Sequence, residues 1–279
     1  MLISAIRPAL PAAQQMQTEA AIGVFDSGLG GLSVLAEIRR LLPQESLIYV
    51  ADSAHVPYGE KTAAQIIDRS LLLSGFLLDQ NVKALVVACN TATAAAIQVL
   101  RERWPNLIVV GMEPAVKPAA ALSKSGKIGV LATTGTLRSA KFAALLQRYS
   151  DQVEVLTQPC PGLVEQIEAG QLDSLDTLQL LEQYTRPLLA AGCDSLILGC
   201  THYPFIRPAL QQLVGEQVAI IDTGTAVARH LRQRLEQQEL LNQGAQQPDI
   251  FYTTGSLAAM QQSLPALWHA PVELRELFI

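Results

Sequence analysis

Short apolar runs alternate in the first part of the chain with longer stretches whose apolar residues recur at helical spacing. Each run has five residues, and such continuous runs are typical of strands that are buried on both faces. The stretches at 32–42 and 62–80 predict helices between them. This alternation predicts βαβ units that build a parallel sheet covered by helices. The runs lie at 21–25, 47–51, 84–88 and 107–111.

A second series of apolar runs follows, at 127–132, 153–157, 195–199 and 218–222. It repeats the order and spacing of the first: a cysteine follows residue 22 by 67 residues and residue 128 by 72 residues. All parallel strands look somewhat alike, but agreement in both order and spacing favours an internal duplication. The predicted fold class is therefore α/β, with two pseudo-symmetric, doubly wound, mainly parallel-sheet domains that face a shared cleft.

The duplication also sets the predicted domain boundaries. The tail has a helix-like segment at 225–241, a polar loop, a strand-like DIFYTT, and a final helix and strand, which is too little for a third domain. We expect this tail to return to the first domain. The first domain then comprises 21–113 plus 225–279, the second comprises 114–224, and residues 1–20 form a weakly ordered N-terminal extension.

Composition and charge narrow the class of protein. Twenty basic and twenty-five acidic residues give a net charge of −5 without a basic cluster, so a nucleic-acid partner is not expected. No apolar stretch reaches the roughly 20 residues that cross a bilayer. The N-terminus lacks a basic start, and Arg7 and Pro8 interrupt its apolar run, which argues against a secretory signal. These features predict a cytoplasmic protein without a membrane partner.

Two of the four cysteines end the third apolar run of each half. Cys89 and Cys200 stand where a strand stops, and ligands of open α/β sheets bind at that edge. A following helix N-terminus would favour thiolate, so each could act as an acid or a base. Cysteine is also a common core residue, which is the interpretation we prefer for Cys160 and Cys193. The cysteine spacings match neither a metal site nor a disulfide framework.

Polar residues follow both thiols and indicate a small anionic substrate. Asn90-Thr91 and Thr201-His202 supply amide, hydroxyl and backbone donors that suit a carboxylate, although they could serve only as helix caps. His202 is close enough in sequence to relay a proton from Cys200.

The end of the first run adds a candidate carboxylate. Asp26 and Ser27 lie there, where an acid can accept a proton. The glycines at 28, 30 and 31 do not fit the G-x-G-x-x-G pattern, which makes a dinucleotide site a weak interpretation. Two further segments, PYG at 57–59 and TTGT at 133–136, also follow strands, and each would be an ordinary turn unless it converges on the same site.

Taken together, the motifs resemble those of the glutamate racemases. The resemblance spans roughly 22–275 and includes GVFDSGLGGLSV, YVADSAHVPYG, VVACNTATA, GVLATTGT, CPGLVEQIE and LGCTHYP. It implies a cofactor-independent enzyme, without a metal, that makes D-glutamate for peptidoglycan, and it leads us to expect a homodimer.

The resemblance also implies roles for individual residues. Cys89 would take the α-proton from D-glutamate with the help of Asp26, and Cys200 would take it from L-glutamate with the help of His202 and Glu168, for which Glu165 is the competitor. The substrate contacts that it implies are Asp26, Ser27, Tyr58, Gly59, Asn90, Thr91, Thr133, Thr136, Thr201 and His202.

Two alternatives remain open from the sequence. The same fold could serve aspartate or another small acid, as a related racemase or decarboxylase. The cleft could also persist in an amino-acid-binding module that does not catalyse a reaction.

Overall fold

The computed structural model describes residues 17–279, which form ten strands in two sheets. All strand pairs are parallel. The strands are β1 (Ile22–Asp26), β2 (Leu47–Ala51), β3 (Ala84–Val87), β4 (Ile108–Val110), β5 (Lys127–Ala132), β6 (Glu154–Pro159), β7 (Ser195–Leu198), β8 (Ala219–Ile221), β9 (Ile250–Thr253) and β10 (Glu273–Glu276).

The two sheets share one strand order, as expected of a duplication. The six-stranded sheet runs β10-β9-β2-β1-β3-β4 and the four-stranded sheet runs β6-β5-β7-β8. In both, the first strand of the half lies between its second and third strands. The predicted α/β class with two parallel sheets is confirmed. The carboxyl ends of β1, β3, β5 and β7 therefore occupy equivalent places in the two halves.

Helices connect the strands and cover the sheets. They are α1 (Leu32–Leu41), α2 (Ala63–Asp79), α3 (Asn90–Arg103), α4 (Val116–Leu122), α5 (Thr134–Arg138), α6 (Ala140–Tyr149), α7 (Leu163–Glu168), α8 (Leu175–Ala190), α9 (Arg207–Val214), α10 (Gly224–Gln237) and α11 (Leu257–Leu267). Local sequence explains several ends. Helix α2 begins with a capping box between Thr62 and Gln65. No described helix is long and apolar enough to cross a membrane.

The tail joins the first sheet. Helix α10 packs against α1, and β9 pairs with β2 while β10 pairs with β9. Helix α10 ends at Gln237, four residues before the end of the predicted segment, because Glu239 takes a left-handed conformation with φ 55° and the Leu240 amide donates to the Leu235 carbonyl. The domain boundaries at 113 and 225 stay a prediction, and this course of the tail supports them.

Most of the predicted N-terminal extension, residues 1–16, lies outside the described residues. Thr18 is buried, and its carbonyl accepts a hydrogen bond from the Lys83 ammonium, which also pairs with Glu45. Packing against the first sheet therefore begins at least two residues before the predicted boundary at residue 20.

Candidate functional site

The carboxyl ends of strands from both sheets line one small cavity. Both candidate thiols line it, Cys89 after β3 and Cys200 after β7. Its other walls include Ser27, Pro57, Tyr58, Gly59, Asn90, Thr91, Thr133, Val164, Thr201 and His202. The two halves thus bring their equivalent cysteines to a single space rather than to separate hydrophobic interiors.

Three predicted site residues stand behind this wall instead of in it. Asp26 contacts Ser27 and Thr201, Glu168 contacts His202, and Thr136 contacts two wall threonines. None of the three lines the cavity, and each affects it through the cavity-lining side chains to which it hydrogen-bonds.

Cys89 is the N-cap residue of α3, as the sequence indicated. Its sulfur accepts a hydrogen bond from the Ala92 amide at 3.4 Å and lies 3.9 Å from Ser27 Oγ. The expected preference for thiolate is wrong for Cys89: burial and then the charge of Asp26 raise the pKa of Cys89 well above its ordinary value, although the Ala92 amide opposes them. Loss of water outweighs a helix-terminus effect of about 1 kcal/mol.

Asp26 is a fully buried carboxylate next to Cys89. It accepts hydrogen bonds from the Gly31 amide at 2.7 Å, from Ser27 Oγ at 3.4 Å and from Thr201 Oγ1 at 3.4 Å. Burial raises the pKa of Asp26, while the charge of His202 and the backbone donors oppose the rise. A carboxyl group held in this way can take up a proton and return it.

The Cys200 side is built differently. No α-helix begins at this thiol, because a short 3₁₀ helix, Tyr203–Ile206, comes between it and α9. The expected helix-terminus effect therefore does not apply to Cys200. Instead, its sulfur lies 3.7 Å from His202 Nδ1.

His202 connects Cys200 to a carboxylate. Its Nε2 lies 2.5 Å from Glu168 Oε1. Burial alone would lower the pKa of His202, but the hydrogen bonds and charges of Cys200 and Glu168 raise it well above its usual range. A protonated imidazole donates from both nitrogens, which orders the chain Cys200, His202, Glu168.

Glu165 does not make this contact. It lines a neighbouring cavity with Cys160, Pro161 and Val164. Of the two glutamates that the sequence left as competitors, the geometry therefore favours Glu168.

The glycine-rich loop after β1 contacts this chain from the first half, which sequence reasoning missed. The Leu29 amide donates to Glu168 Oε1 at 2.6 Å. The Gly30 amide points at His202 Nε2 from 3.1 Å, and it can donate there only when that nitrogen carries no proton. A Cβ atom at Gly28 would lie 2.1 Å from Glu168 Oε1, and one at Gly30 would lie 2.3 Å from His202 Nδ1. The only signal in the sequence was three glycines that fit no nucleotide motif.

We expect Gly30→Ala to reduce turnover by about tenfold or more, because the new methyl group must displace the buried His202 ring at a cost of about 1–3 kcal/mol. Steady-state kinetics and thermal unfolding measure both effects. Gly75→Ala is the matched control, since a Cβ there meets nothing within 4 Å and α2 gains about 0.5–1 kcal/mol. Equal activity of the two variants would contradict the close contact.

Polar side chains line the Cys89 side of the cavity, and that of Asn90 has no hydrogen-bond partner. Asn90 is 4% exposed, and neither its amide oxygen nor its amide nitrogen has a hydrogen-bond partner. Thr91 Oγ1 lies 2.9 Å from Thr133 Oγ1 and 3.1 Å from Thr136 Oγ1, and these last two are 3.1 Å apart. Burying an amide group without hydrogen-bond partners costs folding free energy unless a ligand supplies those partners. The three hydroxyls join the two halves beside it.

Tyr58 contributes less polarity to the cavity than the sequence suggested. Its hydroxyl donates to Asp52 Oδ2 at 2.5 Å, so the ring rather than the hydroxyl remains for a ligand.

Together these residues provide two acid–base groups in one enclosed space, each supported by its own carboxylate, and donors that suit an anion. Residues 17–279 contain no group of three or more histidine, cysteine or acidic side chains placed to hold a metal ion.

Comparisons with known proteins agree on one family. The model of the Asp/Glu/hydantoin racemase family matches residues 22–231. A glutamate racemase of Ectopseudomonas mendocina is 62% identical over 251 residues, 90% of this chain and 95% of the relative.

Two solved structures have the same fold. The glutamate racemase of Escherichia coli in complex with L-glutamate and an activator, UDP-MurNAc-Ala, has a TM-score of 0.82 at 34% identity and covers 92% of this chain and 97% of its own. The glutamate racemase of Francisella tularensis in complex with D-glutamate has a TM-score of 0.81 at 30% identity, with coverage of 93% and 98%. With both thiols in one cavity, this chain therefore belongs to the glutamate racemases of the Asp/Glu/hydantoin racemase family.

Proposed function

We propose that this protein interconverts L-glutamate and D-glutamate without a cofactor, by proton transfer between the substrate and two cysteines. The observation that carries the proposal is the single cavity lined by Cys89 from one half and Cys200 from the other. Its family membership supports the substrate, because the related structures hold L-glutamate in one case and D-glutamate in the other. The product D-glutamate would supply peptidoglycan synthesis, as the family relationship implies.

The reaction moves two protons and leaves the electron pair on carbon. With D-glutamate, the Cα–H bond breaks as Cys89 thiolate takes the proton, and the Cys200 thiol gives its proton to the opposite face of Cα. The reverse reaction starts from Cys200 thiolate. An α-hydrogen beside a carboxylate is weakly acidic, so donors already in place must stabilise the developing negative charge. Asn90 and the threonine hydroxyls have the required chemistry.

The carboxylates would set the protonation state of each sulfur. Because the pKa of Cys89 is raised, Cys89 rests as a thiol and must lose its proton before it can act as a base. Asp26, which lies beside it, is the acceptor that we propose. On the other side, His202 in its protonated form stabilises the thiolate of Cys200, and Glu168 holds the imidazole in place.

The experiment that tests this function compares L-glutamate and L-aspartate with the same purified protein. Loss of optical activity should be rapid with glutamate and at least about tenfold slower with aspartate, since one methylene in a fitted pocket is worth about 1–3 kcal/mol. Faster turnover of aspartate would favour the related racemase that the sequence left open. Binding of glutamate by calorimetry without any turnover would favour a non-catalytic module.

We further propose a homodimer and a cytoplasmic location, both on the resemblance to the family. Light scattering at two protein concentrations tests the first: a mass near twice the 30.1 kDa of one chain supports it, and a mass of one chain contradicts it.

A further inference from the structure

We propose that Asp52 is a positioning residue for the reaction, which holds the 57–59 segment against the substrate cavity through Tyr58. The inference rests on the proposed function, because its consequence is a change in substrate affinity. Asp52 itself does not line the cavity.

Asp52 is a buried carboxylate that the proton transfers do not use. Arg69 binds it at two points, with Nε 3.0 Å from Oδ2 and Nη2 2.8 Å from Oδ1. Tyr58 donates its hydroxyl to Oδ2 at 2.5 Å, and Thr254 donates to Oδ1 at 2.8 Å. His55 Nδ1 lies 3.0 Å from Oδ1. Such a set of donors fixes the carboxylate, and with it every group that it binds.

Asp52 is connected to the site in two ways, through its own backbone amide and through Tyr58. The Asp52 amide donates to the carbonyl of Asp26 at 3.0 Å, which places it beside the carboxyl end of β1. Tyr58 lines the cavity with its ring and leads into Gly59.

Gly59 carries the effect to the second half. A Cβ atom at Gly59 would lie 2.8 Å from Thr133 Cβ, and one at Gly135 would lie 3.0 Å from the Gly59 carbonyl oxygen. A shift of Tyr58 would therefore displace Gly59 and, with it, the contact between the two halves beside Thr91 and Thr133.

A merely stabilising role is the alternative, and the chain offers a matched control for it. Asp249 is also buried, and it binds Arg39 at 2.6 Å and the Leu47 amide at 3.1 Å. It lies at the amino ends of β2 and β9, whereas Asp52 lies at their carboxyl ends. The two aspartates thus share burial and an arginine partner, but only Asp52 is connected to the cavity.

The test is a double-mutant cycle of Asp52→Asn and Tyr58→Phe, with Asp249→Asn as control, measured by steady-state kinetics with D-glutamate and by thermal unfolding. An asparagine amide group would face the donors of Arg69 or Tyr58. We expect each single variant to raise KM about tenfold, with kcat changed less than about threefold, in line with loss of a hydrogen bond to a charged group. The double variant should raise KM about as much as one substitution alone.

The Asp249→Asn control separates an effect on the placement of the 57–59 segment from an effect on the stability of the fold. Asp249→Asn should lower the unfolding temperature but leave KM within about twofold of the unmodified protein. The inference would be overturned if the KM of Asp52→Asn were no higher than that of Asp249→Asn. It would also be overturned if the double variant raised KM by the product of the two single effects. If Asp52→Asn does not yield folded protein, Tyr58→Phe alone decides, and an unchanged KM overturns it. Absence of turnover by the unmodified protein would contradict the proposed function instead.

Discussion

Cys89→Ser and Cys200→Ser should each lower racemisation by about 10²- to 10⁴-fold, the usual contribution of a positioned acid or base. A hydroxyl is a far weaker acid than a thiol, so serine keeps the shape of the side chain but removes the base. The value of kcat/KM must fall by the same factor in both directions, because the two enantiomers have the same free energy in water. Circular dichroism of the reaction mixture from either enantiomer measures the loss.

The two variants should still differ in which enantiomer exchanges its α-hydrogen. In heavy water, Cys200→Ser retains Cys89 and should slowly place deuterium into D-glutamate without forming L-glutamate. Cys89→Ser should do the same with L-glutamate. Cys193→Ser is the control, since this cysteine is buried in the core away from the cavity and should leave turnover within about twofold. Full racemisation by the double variant would refute the assignment of both thiols.

Glu168→Gln should reduce kcat by about 10- to 100-fold, because it removes the charged partner of His202. The glutamine amide still fills the space beside the Leu29 amide, so the change is mainly electrostatic. Glu165→Gln is the matched control: it lies three residues earlier on the same helix and makes no contact with His202, so we expect turnover within about twofold.

The pH dependence gives the same substitution a second readout. Glu168 is one of the groups that raise the pKa of His202, so its loss should lower that pKa. If protonated His202 supports the Cys200 thiolate, the alkaline limb of the kcat/KM profile should move to lower pH in Glu168→Gln. An unmoved limb, or an equal loss in Glu165→Gln, would contradict the role of Glu168.

The fold was largely predictable from periodicity. Five-residue apolar runs and the repeated spacing to a cysteine located the strands within one or two residues and indicated the duplication, because strands buried in parallel sheets leave a strong local pattern. The end of α10 was not predictable, because the residue in the left-handed conformation is Glu239 and not the glycine that usually marks the end of a helix.

The candidate site was predictable only in part. The strand-end rule located Cys89 and Cys200, but it could not rank Glu168 above Glu165, because the two lie one helical turn apart and only the placement of α7 decides which reaches His202. The rise in the pKa of Cys89 was missed because burial depends on the whole fold. The contacts of Gly28 and Gly30 with the second half were missed for the same reason.

The central claim is that two thiols serve opposite faces of one carbon, and the most direct measurement follows early turnover of unlabelled D-glutamate by the unmodified protein in heavy water. Mass spectrometry and chiral separation then read the label in each enantiomer. The account predicts that newly formed L-glutamate carries one deuterium at Cα, while the remaining D-glutamate is still mostly unlabelled. L-glutamate that retains the original hydrogen would mean that one group removes and returns the same proton, which would contradict the account.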